Sequence, residues 1–285
     1  YSCMHKKLAK KYLKETKKIE GWFSIHDVVS FSSILNIQQN LAISGSLLEI
    51  GVYQGKSAIV VGNYSRAYGD FEVCDIFQLE SDVENEKEIS SSYSNLQREI
   101  FETNYRNKLG VIPVIHECKS IDLKNKLVSE SYRFIHIDGS HLYDHVVNDI
   151  ELALDVLTQE DGVIVMDDFR SQHTLGVSLA IWEKIIMGGF TPFLVTPAKM
   201  YLARRLVNLN LEIVSDALEA NGIITVYENI GNIRLLRTLD LPDGEVYRVS
   251  NFLNELIPPG LVELIRKFKK TLIVVVLVAS SFQNP

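Results

Sequence analysis

The stretch Ser46–Ser57, SLLEIGVYQGKS, constrains the chain more than any other. Ser46–Ile50 reads as a short buried strand, Gly51–Gly55 as a glycine turn, and a helix begins at Lys56. Strand, tight turn and helix in that order begin an open α/β sheet and mark where it takes its first ligand. The pattern is acid-x-Gly-x-x-x-Gly, on Glu49, Gly51 and Gly55. It differs from the G-x-G-x-x-G of the dinucleotide fingerprint, which speaks against a nicotinamide dehydrogenase. Gly51 lets the chain turn, and Gly55 lets a ligand or a strand approach the backbone. The same residues also suit a plain strand–helix turn that binds nothing.

Downstream of Ser57, helix and strand keep alternating. A helix is expected at Lys56–Tyr68, ended by Gly69, then a strand at Phe71–Phe77 and a polar loop at Leu79–Asn95. Next come a helix at Gln97–Lys108 stopped by Gly110, a strand at Val111–His116 and a strand at Tyr132–Ile137. The helix from Leu142 to Leu157 is expected to turn Val147, Ile150, Leu154 and Leu157 inward, with Ser140 or Asp144 as its N-cap. A strand at Gly162–Met166 and a helix at Thr174–Met187 complete the run. Strands alternating with helices argue for a parallel sheet covered on both faces. Phe193–Thr196 and Met200–Arg204 are separated only by Pro197-Ala198-Lys199, too short for a crossover, so they pair antiparallel. Before the sheet, Lys6–Lys18 reads as a solvated helix, and Trp22, Phe23, Val28, Phe31, Ile34 and Leu35 form an apolar helical face reaching Ala42. After Leu206 a helix at Leu211–Ala220 and strands at Ile223–Glu228 and Ile233–Arg237 are expected. The chain is thus divided into a helical leader at 1–45, a ligand-binding domain at 46–205 and an extension at 206–285.

At 285 residues and 46% hydrophobic content the chain can bury a large core. A net charge of −7 leaves no general basic field for phosphates, so a nucleic-acid partner is not expected. Cys3, Cys74 and Cys118 have neither metal nor disulfide spacing, which suits a reducing, cytoplasmic compartment. No signal peptide is expected. Thr271–Ala279 is apolar but short of the ~20 residues that a spanning helix needs, so no membrane partner is expected.

Ligands of open α/β sheets bind outside the carboxyl ends of the strands. Glu49, Asp75, Asp138, Asp167 and Asp168 all fall at such ends. Asp75 comes 24 residues after Gly51, where α/β nucleotide folds place an acid on ribose hydroxyls. If the fourth and fifth strands are neighbours, about 5 Å apart, Asp138 converges with Asp167 and Asp168. Three carboxylates without cysteine suit a hard ion such as Mg²⁺. Read one by one, Asp138 is a helix cap and Asp167-Asp168 a turn. His141, three residues past Asp138, is placed to act as general base near its unperturbed pKa of about 6.5. His136 alternates with Phe134 and reads as packed, and His173 is a lesser candidate for the site.

Together LEIGVYQGKS, VCDIF, FIHIDGSH and VIVMDDF resemble the class I S-adenosylmethionine-dependent methyltransferases. More narrowly they resemble the metal-dependent O-methyltransferases related to macrocin O-methyltransferase. The resemblance implies a Rossmann-like, mostly parallel seven-stranded sheet with an antiparallel last hairpin. It implies cofactor contacts at Glu49, Gly51, Gly55, Ser57, Asp75, Ser120 and Asp138. It further implies Mg²⁺ on Asp138, Asp167 and Asp168, with His141 as base. The acceptor it implies is a small hydroxylated molecule, such as a sugar of a natural product, and the leader and tail are candidate homo-oligomer surfaces. A metal-dependent phosphoester hydrolase and a non-catalytic cofactor-binding assembly subunit are the alternatives.

Overall fold

In a computed structural model of the chain, residues 12, 14, 16–67, 70–78, 93 and 96–239 are described. Most of the Lys6–Lys18 helix, the Gly69 cap, the Leu79–Asn95 loop except Tyr93, Cys3 and the apolar tail lie outside them.

The leader helix α1 (Ile25–Asn40) starts because Ser24 and Asp27 cap each other's backbone. The Asp27 amide donates to Ser24 Oγ at 3.2 Å, and the Ser24 amide donates to Asp27 Oδ2 at 2.9 Å. Such reciprocal caps satisfy amides that the first turn leaves open. Phe31, Ile34 and Leu35 are fully buried on its inner face, as expected, but Trp22 is 69% exposed.

The sheet elements are β1 (Ser46–Ile50), β2 (Phe71–Asp75), β3 (Val114–Glu117), β4 (Tyr132–Ile137), β5 (Val163–Met166), β6 (Thr191–Val195), β7 (Met200–Ala203), β8 (Thr225–Ile230) and β9 (Ile233–Thr238). The helices after α1 are α2 (Ala58–Gly62), α3 (Arg98–Leu109), α4 (Tyr143–Val156), α5 (Leu175–Ile186) and α6 (Leu211–Ala220). The strand order is β3-β2-β1-β4-β5-β7-β6-β9-β8. From β3 to β5 all pairs are parallel, and β7 runs antiparallel to both β5 and β6. All nine strands read from the sequence are present, and the hairpin of β8 and β9 joins the β6 edge, so the sheet has nine strands rather than the seven that the resemblance implies.

Every residue of β4 is buried, the pattern of a parallel strand covered on both faces. Its residues alternate between two cores. Phe134 packs with Phe31 and Val60, while Ile135 and Ile137 pack with Ile150, Ala153 and Ile181. The order reverses between β1 and β4, the switch point at which a crevice opens in doubly wound sheets.

Several boundaries differ from the periodicity. The helix expected at Lys56–Tyr68 is only the short α2, flanked by turns at both ends. β3 begins after Pro113, whose ring cannot donate to a ladder. In α4 Ile150 and Leu157 are buried as expected, but Val146 and Ala153 turn inward where Val147 and Leu154 were expected, and those two lie at the rim. The N-cap of α4 is Leu142 rather than Ser140 or Asp144, although Ser140 Oγ accepts the Leu142 amide at 3.3 Å. No helix among the described residues is long and apolar enough to cross a membrane.

Candidate active site

A cleft of about 830 Å³ opens at the carboxyl ends of β1, β2, β4 and β5. It has two halves, built differently.

The half beside β1 and β2 is organised by the glycine turn. Gly51 has φ +81, and a Cβ there would stand 2.0 Å from the Asp138 carbonyl oxygen. Gly55 has φ +91, and its Cβ would meet Phe101 Cδ2 at 3.0 Å. Both glycines are therefore demanded by the protein's own packing. Asp75 lies against this turn. Its Oδ2 accepts from the Val52 and Tyr53 amides at 2.8 and 3.0 Å, and its Oδ1 accepts from the Phe77 amide at 3.0 Å. Burial pushes the Asp75 pKa up, against the lowering effect of these amides. Asp75 and Ser57 line the cleft, and Ser120 lines its far wall at the start of a short 3₁₀ turn.

Glu49 does not line the cleft. It is fully buried under the turn, where it accepts a hydrogen bond from Ser57 Oγ and lies 2.9 Å from His136 Nδ1. Burial raises its pKa to about 8, and burial lowers that of His136 to about 3. Near neutral pH this contact therefore joins a protonated acid to a neutral imidazole and is not an ion pair.

The half beside β4 and β5 gathers charge. Ligand atoms of His136, Asp138 and Asp167 lie within 4.8 Å of one another. Burial and then the neighbouring Asp167 push the Asp138 pKa well up. Two carboxylates this close share a proton unless a cation joins them. Lys199, in the turn between β6 and β7, is 1% exposed and forms an ion pair with Asp167. Its Nζ also lies 3.4 Å from His136 Nε2 and over the Phe23 and Phe31 rings at 5.5 and 5.9 Å. Burial opposes its charge, yet the carboxylates outweigh burial and raise its pKa. Burial likewise opposes the charge on Asp167, and Lys199 and His136 reverse that and hold its pKa down. Asp168 has φ +53, and its Oδ2 is 2.7 Å from His141 Nε2. That bond is the main reason the Asp168 pKa is lowered.

Residues 48–169 match the family model described as a methyltransferase domain. The match runs from the glycine turn through both acidic strand ends. The fold of the chain is shared by the O-methyltransferase NovP, at 15% identity and a TM-score of 0.57, over 72% of this chain and 100% of that one. The calicheamicin methyltransferase CalS11 aligns at 16% identity over 62% of this chain and 78% of its own, with a TM-score of 0.46. No curated protein matches the chain.

The fold brings Gly51, Ser57, Asp75, Ser120, Asp138, His141, Asp167 and Asp168 to one cleft, and Gly55, in the same turn, is not on its lining. His173 lies on the lining too, and His136 is packed as expected, although it also walls the acid cluster. Lys199 and Asp149 were not expected at the site. Lys199 falls outside the matched segment and sits in a turn that reads as a connection; its signal is a lone lysine in the apolar run TPAKMYLA. Asp149 is buried on α4 beside Ile150, where the expected inward face held only apolar residues.

The donor set of this cleft fits a divalent ion. His136, Asp138 and Asp167 converge, while Asp168 lies on the same lining and faces His141.

Proposed function

We propose that the chain is an S-adenosylmethionine-dependent, Mg²⁺-dependent O-methyltransferase acting on a hydroxyl of a small molecule, with a sugar of a natural product as the leading acceptor class. The observation that carries this reading is the convergence of three carboxylates and His141 on the cleft that the glycine turn also enters. The oxygen-methylating neighbour of the same fold accords with it.

In this reading Asp75 and Ser120 flank the nucleoside of the cofactor, and Gly51, Gly55 and Ser57 shape the floor beneath its amino-acid part. Glu49 acts through Ser57 and is a positioning residue. Asp138, Asp167 and Asp168 hold the ion. Bound there, Mg²⁺ supplies Lewis acidity that lowers the pKa of an acceptor hydroxyl. The cofactor supplies the electrophilic methyl group. Asp168 holds the proton on His141 Nε2, which puts the basic lone pair on Nδ1. His141 would take the acceptor's hydroxyl proton on Nδ1, and the cofactor, when bound, would give up its methyl group and leave as S-adenosylhomocysteine. Lys199 keeps Asp167 ionised and fixes its direction. The leader, residues 1–45, contributes Trp22, Phe23 and Asp27 to the acceptor side of the cleft.

Calorimetric titration of S-adenosylmethionine and S-adenosylhomocysteine, with Mg²⁺ and with EDTA, tests the proposal. Micromolar binding of both is expected, and then transfer to hydroxylated acceptors only when Mg²⁺ is present. Absence of binding in either condition overturns the cofactor; full transfer in EDTA overturns the metal.

A further inference from the structure

The helix α5 carries apolar residues on two opposite sides. Val177, Ala180, Ile181 and Ile185 are buried against the core. On the other side Leu175, Leu179 and Ile186 are 72, 53 and 80% exposed. Trp182, between them, is only partly buried, with its ring 5.9 Å from that of Phe169. At about 100° per residue these four outer residues fall within about 60° of one another and form one stripe about 17 Å long. A helix that is apolar all round is normally covered all round, and among the described residues α5 is covered on one side. Its sequence, LGVSLAIWEKII, holds only two charges, Glu183 and Lys184. Both are tied to α4: Glu183 accepts from the Tyr143 hydroxyl, and Lys184 forms an ion pair with Glu151 at 2.6 Å. The outer stripe itself carries no charge.

We propose that the outer stripe of α5 is a contact between two copies of this chain, paired antiparallel about a two-fold axis. The residues of the stripe are spaced 4-3-4, the same from either end. Turned round on itself, the stripe sets Leu175 opposite the partner's Ile186 and Leu179 opposite the partner's Trp182. That is the self-complementarity a two-fold contact demands. Steps of three and four residues are also those of helix seams that pack side by side. Charge points the same way. Each copy carries a net charge of −7, so two copies repel unless they meet through a neutral face. Glu183 and Lys184 keep their bonds to α4 in the pair, and no charge is buried. The contact also has a place relative to the site: Leu175 directly follows His173 and Thr174, which line the cleft, so a copy seated on α5 borders the cleft rim. Two short helices cover less than the about 800 Å² per partner of a standard interface, so a dissociation constant of roughly 10 µM is expected.

The test is sedimentation equilibrium of the full chain from ~2 to ~200 µM, with the folding of each variant checked by thermal melting. The wild type is expected to pass from monomer to dimer across this range. Leu179→Glu puts an unpaired carboxylate at the centre of the contact and should leave the chain monomeric throughout. Leu175→Lys and Ile186→Glu should each weaken self-association by ~10-fold or more. Mixed together, these two variants should pair as tightly as the wild type, because one end of the pair gains an ion pair and the other keeps leucine on isoleucine. A wild type that stays monomeric at the highest concentration overturns the inference. So does a dimer that survives Leu179→Glu, which would rest on another face. A mixture that associates no better than either variant alone overturns the antiparallel pairing.

Discussion

The two halves of the cleft handle acidic side chains in opposite ways. Beside β2, the Asp75 carboxylate is filled by three backbone amides of the turn it faces. Beside β4 and β5, Asp138, Asp167 and Asp168 face mainly other side chains, and their charge is met by Lys199, His141 and a shared proton. Amides are fixed by the fold and cannot leave, so the first half is rigid before any ligand arrives. Ammonium, imidazole N–H and proton can all be displaced, so the second half can take up a cation in their place. One strand-end acid thus holds a loop in shape, and the other three are the ones proposed to hold an ion.

The halves meet at Gly51, whose α-carbon faces the Asp138 carbonyl. Gly51→Ala is expected to have the largest effect, because the new methyl would fall on backbone at 2.0 Å and the residue has φ +81. A loss of roughly 3–5 kcal/mol in urea unfolding is expected, with loss of ligand binding. A variant as stable as the wild type would mean that the two loops are not packed as described.

The next effect separates the halves. Asp168→Ala should weaken Mn²⁺ binding, read by calorimetry as a probe for Mg²⁺, by at least ~100-fold. Binding of S-adenosylhomocysteine should stay within a few-fold. Equal loss of both would erase the distinction between a site held by amides and one held by displaceable charge.

Asp75→Ala sharpens the comparison from the other side. Removing the carboxylate strands the Val52, Tyr53 and Phe77 amides, and a cost of roughly 2–3 kcal/mol in unfolding free energy is expected together with weaker cofactor binding. Weaker binding with unchanged stability would make Asp75 a ligand contact alone. Unchanged binding would remove it from the ribose.

The sequence carried the fold well where period and punctuation agree. α6 is Leu211–Ala220 and β4 is Tyr132–Ile137, as read, and Gly110 caps α3 as expected. Helix phase was less legible: in α4 both Val146 and Val147 are apolar, and only packing decides which one turns inward. The acids of the site were visible because they end hydrophobic strands. Their partners were not, because partnership is tertiary. Lys199 arrives from the far hairpin, and the amides on Asp75 belong to backbone that carries no mark in the sequence. Glu49 shows the limit most clearly. Its place beside the glycines suggests a ligand contact, yet strand alternation turns it away from the cleft and onto His136.

That placement gives the smallest effect and one with a definite sign. Burial raises the Glu49 pKa from the ordinary glutamate range to about 8, so the folded chain holds its proton more tightly than the unfolded chain does. The contribution to stability is therefore complete below about pH 4.5 and falls as pH rises toward 8. Asp138 and Asp149 shift the same way, so the wild-type slope is a sum, and a substitution is needed to isolate one part. Glu49→Gln keeps the shape of the protonated acid and cannot ionise. Between pH 5 and 7 the variant should lose about 2 kcal/mol less than the wild type, as the difference in urea unfolding free energies. If both lose stability in parallel, Glu49 is ionised in the folded chain. The acid under the turn would then belong with the charged half of the cleft, and the contrast between the halves would narrow to Asp75 alone.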